Sequence, residues 1–390
     1  MKSKNIIFIH GLLGWGNSQM GGLPYWGHAL AQTSSEFQFH EANCGPVSSF
    51  HDRACEVAAQ IKGAKTDYGK AHSRQEDHAQ FSRDYRGHAF VETWSEDNPV
   101  ILLGHSAGGH TALELQQLLA QDYWGWGSNA NWVEAVVSIS GVLNGSTLPY
   151  MLGCDKETGL IAHPVGVFIG NVIQIFAMAG NQTTDKIYPF HLDHWIGIKE
   201  RNFENSILAL EQSQFAKNED NLAFDLTLQG GYKANQQIAT HPNTYYLSIV
   251  TEKSNQALIT PNCYPDIFIN PFLTLSSAFQ GLIVDFEFPP LPGWGSGELT
   301  IHKWRANDGA VSSISQRYPF TAGNHAIGGI GIFNDRPIEK GKWYYEPAES
   351  VTGQRFDHLD AVFGCLNNPL MANAHKKLYQ QIYSLLRDLP

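Results

Sequence analysis

One stretch decides the fold: VILLGHSAGGHTALELQQLL, residues 100–119, in which an apolar run changes into a helical pattern around a single serine. The run VILLGHS is short and apolar, as strands buried on both faces of a sheet are. After it, apolar residues recur at helical spacing from Ala112 to Leu119. Ser106 therefore stands at a turn between a strand and a helix, and the rest of the chain must explain why.

The pentapeptide GHSAG, Gly104 to Gly108, matches the pattern GxSxG and is its only occurrence in the chain. A nucleophile on a tight strand-to-helix turn takes strained backbone angles, and side chains beside it would collide with the neighbouring strand and helix. A serine that only caps a helix is the alternative, but it does not explain the three glycines at 104, 108 and 109. The pattern predicts that Ser106 is a nucleophile on such an elbow.

Further apolar runs predict the fold class. NIIFIHG (residues 5–11), WVEAVVSISG (132–141) and TYYLSIVTE (244–252) resemble buried strands separated by helical segments. Such alternation predicts an α/β fold with a mostly parallel central sheet and helices on both faces. We expect one domain over residues 1–390, with insertions at about 45–95, rich in His and Asp, and at about 146–235, and a loop at 280–300.

Composition excludes several classes of function. The formal net charge of -11 argues against a nucleic-acid partner and against electrostatic docking on anionic lipid. No run of about 18 apolar residues occurs, so no transmembrane segment is expected, and the apolar run after Met1 is too short for a signal peptide. The five cysteines lack CxxC spacing and are expected to be buried: Cys44, Cys55, Cys154, Cys263 and Cys365.

A serine nucleophile needs a base and an acid that orients the base. In enzymes whose serine lies on such a strand-to-helix turn, the acid follows the serine in the sequence and the histidine follows the acid. His358 in RFDHLDAVFG lies after the last plausible strand, and Asp308 in RANDGAVS occupies an Asn-Asp-Gly turn 50 residues earlier. The alternatives are His325 for the base and Asp266 or Asp335 for the acid.

The tetrahedral intermediate also needs backbone donors for its oxyanion. The N–H of Ala107, at the helix N-terminus, is the natural first donor. HGLLGWG (residues 10–16) follows the first strand and offers the N–H of Leu12 as the second. The alternative is that these glycines only turn the chain.

At this point the sequence resembles a known family. HGLLGWG, PYWGH, HDRACE, DYGKAH, GHSAGG, NTYYLS, NDG and DHLD occur in the order found in the thermoalkalophilic secreted lipases of Gram-positive bacteria, lipase family I.5. The resemblance runs from about Ile6 to Leu386 and implies an α/β-hydrolase fold. It implies hydrolysis of acylglycerol or other carboxylic esters by Ser106, Asp308 and His358, with Leu12 and Ala107 as oxyanion donors.

The resemblance also implies metals. From spacing alone, His72 and His78 are two solvated histidines, but the family holds a structural zinc whose ligands fall here on Asp52, His72, His78 and Asp225. It further implies a calcium site beside the loop of His358. This sequence keeps Asp360 there but has Leu366 or Asn367 where a second carboxylate is expected, so it supports calcium less well than zinc.

The run GVFIGNVIQIFAMAG, residues 166–180, is the expected lid, which would expose an apolar face at a lipid–water interface. A buried core helix is the alternative. The resemblance implies a secreted protein; we expect no signal peptide in this chain, which leaves a mature secreted form and an intracellular form as alternatives. The leading hypothesis is a zinc-stabilised lipase or esterase. The alternatives are a phospholipase or acyltransferase with the same triad, and a non-catalytic binding protein.

Overall fold

The computed structural model describes residues 3–16, 19, 22–31, 35–162, 164, 167, 191–196, 210–282, 301–320, 326–333, 337–363 and 368–389. Nearly all of the expected lid, His325, Asp335, Cys365 and most of the 280–300 loop lie outside these residues. The other four cysteines are buried free thiols, as expected.

The described part of the chain contains eleven strands. They are β1 (Lys4–Ile9), β2 (Phe37–Ala42), β3 (Lys65–Asp67), β4 (Phe81–Asp84), β5 (Val100–His105), β6 (Val133–Ile139), β7 (Tyr245–Val250), β8 (Ser254–Gln256), β9 (Cys263–Pro265), β10 (Ala326–Ile330) and β11 (Lys342–Pro347). Seven of them form one sheet in the order β10-β11-β7-β6-β5-β1-β2, and every pairing in it is parallel. The predicted α/β fold with a mostly parallel sheet is confirmed.

The helices of the described residues surround this sheet. They are α1 (Phe50–Lys62), α2 (Lys70–Glu76), α3 (Ala107–Ala120), α4 (Leu148–Leu152), α5 (Asp193–Ile196), α6 (Leu222–Asp225), α7 (Leu228–Asn235), α8 (Thr274–Leu282), α9 (Ala348–Thr352), α10 (Asp360–Phe363) and α11 (Pro369–Asp388). Short 3-10 helices cover Ala130–Trp132, Gln214–Ala216, Pro271–Leu273 and Ile301–Trp304. None of the described helices is both long and apolar enough to cross a bilayer.

Strand β1 shows why the central runs are continuously apolar. Successive side chains of a strand point to opposite faces, so Ile6 and Phe8 enter one core while Ile7 and Ile9 enter the other. All four are fully buried. Because helices cover both faces of the sheet, an alternating polar pattern would place polar groups in a core.

The C-terminal helix α11 covers the first of these faces. Its buried residues recur every three or four positions, from Met371 through Leu378 and Ile382 to Leu386, which is the pattern of a helix with one apolar side. Asn368 accepts a hydrogen bond from the N–H of Leu370, and Pro369 occupies the first turn, so the N-terminus is well capped.

The opposite face is covered by α1 and α3. Helix α1 lies in the region expected to be an insertion, yet it is buried along nearly its whole length and shares a core with α3. The segment that follows α1 is peripheral. It contains α2 and the antiparallel pair β3–β4, whose strands do not join the central sheet. A second antiparallel pair, β8–β9, follows β7. The His- and Asp-rich region is therefore part core and part peripheral.

Candidate active site

Ser106 occupies the turn between β5 and α3, at the carboxyl end of a central strand. Its backbone angles, φ 58° and ψ −125°, are strained for a residue with a side chain. The neighbouring glycines are required by contact. A Cβ on Gly104 would lie 2.2 Å from the carbonyl carbon of Gly108, and one on Gly108 would lie 2.0 Å from the carbonyl oxygen of Ile9. The local sequence thus forces a turn that presents the serine side chain.

Asp308 and His358 meet beside this turn. The Nδ1 of His358 lies 2.8 Å from Oδ2 of Asp308, and the backbone N–H of His358 donates to the carbonyl of Asp308 at 2.9 Å. Both residues are buried. With Nδ1 donating to the carboxylate, a neutral imidazole keeps its lone pair on Nε2, which is the nitrogen a general base uses.

The Asp308 carboxylate is held by other donors as well. Oδ1 accepts from the N–H groups of Ala310 and Val311 at 2.9 and 2.8 Å. Oδ2 accepts from the Thr251 hydroxyl at 2.7 Å and from Gln316 at 3.2 Å. These bonds fix the plane of the carboxylate, and hence the direction in which it holds the imidazole.

Ser106 and His358 line one cavity whose walls are largely apolar. The other lining residues include Leu12, Leu13, Trp15, Tyr25, Val142, Leu148, Leu152, Leu226, Val311, Leu359 and Phe363. The structure therefore brings the three predicted triad residues together next to a hydrophobic pocket. Asp266, one of the two alternative acids, instead accepts hydrogen bonds from the side-chain amide of Asn255 and from the N–H of Phe268.

The loop after β1 passes against the nucleophile. A Cβ on Gly11 would lie 2.6 Å from the Cβ of Ser106, so only glycine permits this approach. Leu12 follows directly and is buried beside the cavity, as is Ala107 on the other side of Ser106. The two expected oxyanion donors are thus on the segments that flank the serine.

Tyr25 and His105 form a hydrogen-bond chain that sequence reasoning missed. The N–H of Gly11 donates to the Tyr25 hydroxyl at 3.0 Å, and that hydroxyl bonds to Nδ1 of His105 at 2.7 Å. Nε2 of His105 bonds to the carbonyl of His358 at 3.1 Å. Burial, with a smaller effect from His358, holds the pKa of His105 well below its usual 6.5, so the ring is neutral and donates only once. Tyr25 lies in PYWGH and His105 precedes the serine, but neither motif reveals the pairing.

Arg53 also fixes the loop after β1. Its guanidinium donates to the carbonyls of His10 and Gly45, and its Nε donates to the hydroxyl of Thr111 on α3 at 3.0 Å. The side chain is fully buried. One residue of the DRACE motif therefore joins the loop after β1 to the helix that follows the nucleophile.

A second cluster could hold a metal. Asp52, His72, His78 and Asp220 each offer one ligand atom, and these atoms all lie within 4.8 Å of one another. Nε2 of His72 is 3.2 Å from Asp52 Oδ1 and 3.3 Å from Asp220 Oδ2, which is also 3.3 Å from Nε2 of His78. Ligands about 2.0–2.1 Å from a tetrahedral zinc would be about 3.3 Å apart, so these three separations fit that ion, while Nε2 of His78 lies farther from Asp52 Oδ2, at 3.8 Å.

The buried polar atoms of the cluster also favour a metal ion. Nε2 of His72, Nε2 of His78 and Oδ2 of Asp220 are buried and have no hydrogen-bond partner among the described residues. Burial alone would lower the pKa of His72, but the adjacent carboxylates of Asp220 and Asp52 outweigh it and raise the pKa to about 10. The site attracts positive charge, as two carboxylates facing two imidazoles should.

One expected ligand is corrected. Asp225 is not in the cluster; its Oδ2 accepts a hydrogen bond from the N–H of Phe50, at the start of α1, at 2.5 Å. Burial raises its pKa well above 3.8. Asp225 ends α6 whereas Asp220 precedes that helix, and the intervening turn sends the two carboxylates to different places.

His194 supports the cluster and was also missed. Its Nε2 lies 2.8 Å from Oδ2 of Asp52, and its Nδ1 lies 3.2 Å from the hydroxyl of Tyr68, the tyrosine of DYGKAH. The Tyr68 hydroxyl donates in turn to Glu56 at 2.8 Å. Such partners orient a metal-binding carboxylate, and nothing in the sequence around His194 marks it for this position.

The chain is similar to known bacterial lipases. Lipase 1 of Staphylococcus aureus is 27% identical over 384 residues, which cover 92% of this chain and 50% of the relative, so the chain spans about half the length of the curated relatives it matches. EstA of Clostridium botulinum has a similar structure, with a TM-score of 0.79 at 25% identity, over 99% of this chain and 88% of EstA.

Staphylococcus hyicus lipase shares the fold, with a TM-score of 0.75 at 22% identity, over 98% of this chain and 95% of that structure. The profile of one family, described as the lipase-like C-terminal domain, matches residues 2–388. That match takes in nearly the whole chain. The chain therefore belongs to the family of lipase-like C-terminal domains.

Proposed function

We propose that this chain hydrolyses carboxylic esters through Ser106, His358 and Asp308. One observation carries the proposal: Ser106 and His358 line the same apolar cavity while His358 is bonded to Asp308 at 2.8 Å. The family and the similarity to Lipase 1 of Staphylococcus aureus support an ester as the substrate.

In the first half of the reaction, Nε2 of His358 takes the proton of the Ser106 hydroxyl as the oxygen attacks the ester carbonyl carbon. The intermediate collapses when the imidazolium returns this proton to the leaving alkoxide, so an alcohol departs and the acyl group stays on Ser106. Asp308 keeps the imidazole oriented and stabilises its charged form.

In the second half, water takes the place of the alcohol. His358 accepts a proton from the water as it attacks the acyl carbon, then delivers the proton to the serine oxygen as the carboxylic acid leaves. The N–H groups of Leu12 and Ala107 are the proposed donors to the oxyanion in both halves. The close approach of Gly11 to Ser106 supports this assignment, because it brings the residue that precedes Leu12 against the nucleophile.

The walls of the cavity indicate the substrate class. Val142, Leu148, Leu152 and Leu226 offer aliphatic surface and no charge, which suits the acyl chain of a lipid ester. We infer an acylglycerol or another apolar carboxylic ester, met at a lipid–water interface. The resemblance to the secreted lipases of family I.5 favours action outside the cell and a single α/β-hydrolase domain.

We further propose that Asp52, His72, His78 and Asp220 hold a structural zinc. Four protein ligands would close a tetrahedral site and leave no position for an activated water, so the ion would supply stability and no step of the reaction. Asp52 lies in α1, His72 lies in α2, His78 lies in the turn after α2, and Asp220 lies directly before Asn221 and α6. The ion would therefore join segments that are distant in sequence.

The test is hydrolysis of p-nitrophenyl esters with acyl chains from two to sixteen carbons, by wild type, Ser106→Ala and the control Ser350→Ala, an exposed serine on α9. We expect Ser106→Ala to lose turnover by at least about 10⁴-fold while its thermal transition stays near that of wild type. A Ser106→Ala variant with appreciable turnover would refute the assignment.

The chain-length profile identifies the substrate class. Activity that extends to long acyl chains supports a lipase, and activity confined to short chains an esterase. If wild type reacts with a fluorophosphonate at Ser106 yet hydrolyses none of these esters, assays with phospholipids and with alcohol acceptors would decide between a phospholipase and an acyltransferase. Failure of the fluorophosphonate reaction itself would contradict an active serine.

A further inference from the structure

A buried ammonium lies between the loops that carry Asp308 and His358. Lys253 follows β7 closely, and its side chain is only 7% exposed. Its Nζ lies 2.6 Å from Oδ2 of Asp360 and 3.7 Å from Oδ2 of Asp357. Burying a lysine is costly unless the charge is paired, so this position calls for an explanation.

The backbone of Lys253 contacts the acid loop. Its N–H donates to the carbonyl of Asn307 at 3.0 Å, and Asn307 directly precedes Asp308. Its carbonyl accepts from the N–H of Asp266 at 3.0 Å. The main chain of one residue therefore joins the end of a central strand to the Asp308 turn and to the β8–β9 pair.

Its side chain contacts the histidine loop. Oδ1 of Asp357 accepts from the N–H groups of Leu359 and Asp360, both at 3.0 Å, and Oδ2 of Asp360 accepts from the N–H of Asp357 at 3.0 Å. These bonds fold residues 357–360 into a closed turn with His358 inside it. The two carboxylates would repel each other without a cation, and Lys253 supplies one.

The calcium that the resemblance implies does not fit these residues. Calcium takes six to eight oxygens at about 2.3–2.6 Å, yet the Asp360 carboxylate is already paired with an ammonium at 2.6 Å. A divalent ion on the same carboxylate would stand against that fixed positive charge. Residues 364–367, where a second carboxylate is implied, lie outside the described part of the chain.

We propose that Lys253 is a positioning residue that takes the place of a metal: its ammonium closes the His358 turn while its backbone holds the Asp308 turn. The catalytic pair is therefore aligned without calcium. This inference rests on the proposed esterase activity for its kinetic part, but its metal part does not require turnover.

The experiment compares wild type, Lys253→Met, Lys253→Arg and the exposed control Lys377→Met, each in calcium-free buffer that contains zinc and in the same buffer with millimolar calcium. We expect the thermal transition and kcat of wild type to be the same in both media. Lys253→Met should lose at least tenfold in kcat with KM changed by less than threefold, since the substrate cavity is untouched. Lys253→Arg should recover kcat to within a few-fold of wild type.

If Lys253→Met does not fold, the double variant Lys253→Met/Asp360→Asn removes the closely paired charges and leaves only the Asp357 carboxylate, which keeps its hydrogen bonds from backbone N–H groups. We expect it to fold and to keep the low kcat. The proposal is overturned if kcat of Lys253→Met or of the double variant stays within twofold of wild type. It is also overturned if added calcium raises the thermal transition of wild type in the buffer that contains zinc. Absence of any Ser106-dependent turnover in wild type would instead count against the esterase function.

Discussion

Replacing Tyr25 with Phe should weaken both the fold and the site, because one hydroxyl serves two buried partners. The hydroxyl accepts from the N–H of Gly11 at 3.0 Å and bonds to Nδ1 of His105 at 2.7 Å. Phe fills the same space but leaves a buried donor and a buried acceptor without partners. At about 1–2 kcal/mol for each orphaned neutral group, the free energy of unfolding should fall by about 2–4 kcal/mol.

The assay is equilibrium urea unfolding followed by tryptophan fluorescence, with kcat measured on p-nitrophenyl butyrate. Tyr264→Phe is the matched control, since Tyr264 is 48% exposed on β9. We also expect kcat of Tyr25→Phe to fall by about tenfold, because Gly11 loses its hydrogen bond and Leu12, the next residue, is the proposed oxyanion donor. Loss of a whole oxyanion donor would cost more, about 10²–10³-fold. If the two variants unfold within about 0.5 kcal/mol of each other, the reasoning about the Tyr25 hydroxyl is wrong.

Two predictions concern the metal cluster. Asp220→Asn should lower the bound zinc well below one ion per chain. Asp225→Asn should retain the zinc, because Asn can still accept the hydrogen bond from the N–H of Phe50. Metal analysis of both purified variants checks this, and the reverse result would restore Asp225 as the ligand. In chelator-treated protein, the pKa of His72 is raised from 6.5 to about 10 by Asp220 and Asp52 against the effect of burial. The stability that its proton gives is therefore complete below pH 6.5 and is lost as pH rises toward 10. Urea midpoints measured from pH 6 to 10 should fall for wild type and stay flatter for His72→Gln; parallel curves would contradict the shift.

The sequence predicts well whatever is local. The GHSAG turn and the buried strands β1, β5, β6 and β7 all follow from short-range patterns. The sheet nevertheless has strands that we did not predict. β2 reads FQFHEA and is only partly buried at the edge of the sheet, so its polar residues hide it.

Apart from Asp308 and His358, which the order of residues in the chain suggested, side-chain pairing over long distances is what the sequence could not supply. Asp220 and Asp225 are five residues apart and chemically identical, and only the path of the chain into α6 selects Asp220 for the cluster. The bond between Tyr25 and His105 depends in the same way on the docking of separate loops. Lys253 carries no motif, and its function becomes visible only when Asp357 and Asp360 are seen around it.

The glycine contacts around Ser106 have a consequence for protein engineering. The backbone groups proposed to bind the oxyanion lie beside glycines that tolerate no added atom, since even a methyl group on Gly11 or Gly108 would overlap its neighbours. The walls of the cavity are different: Val142, Leu148 and Leu152 are ordinary aliphatic side chains. Directed evolution of substrate preference should therefore succeed with libraries at the wall positions and fail with libraries at the glycines, so selectivity and reactivity can be altered separately in this scaffold.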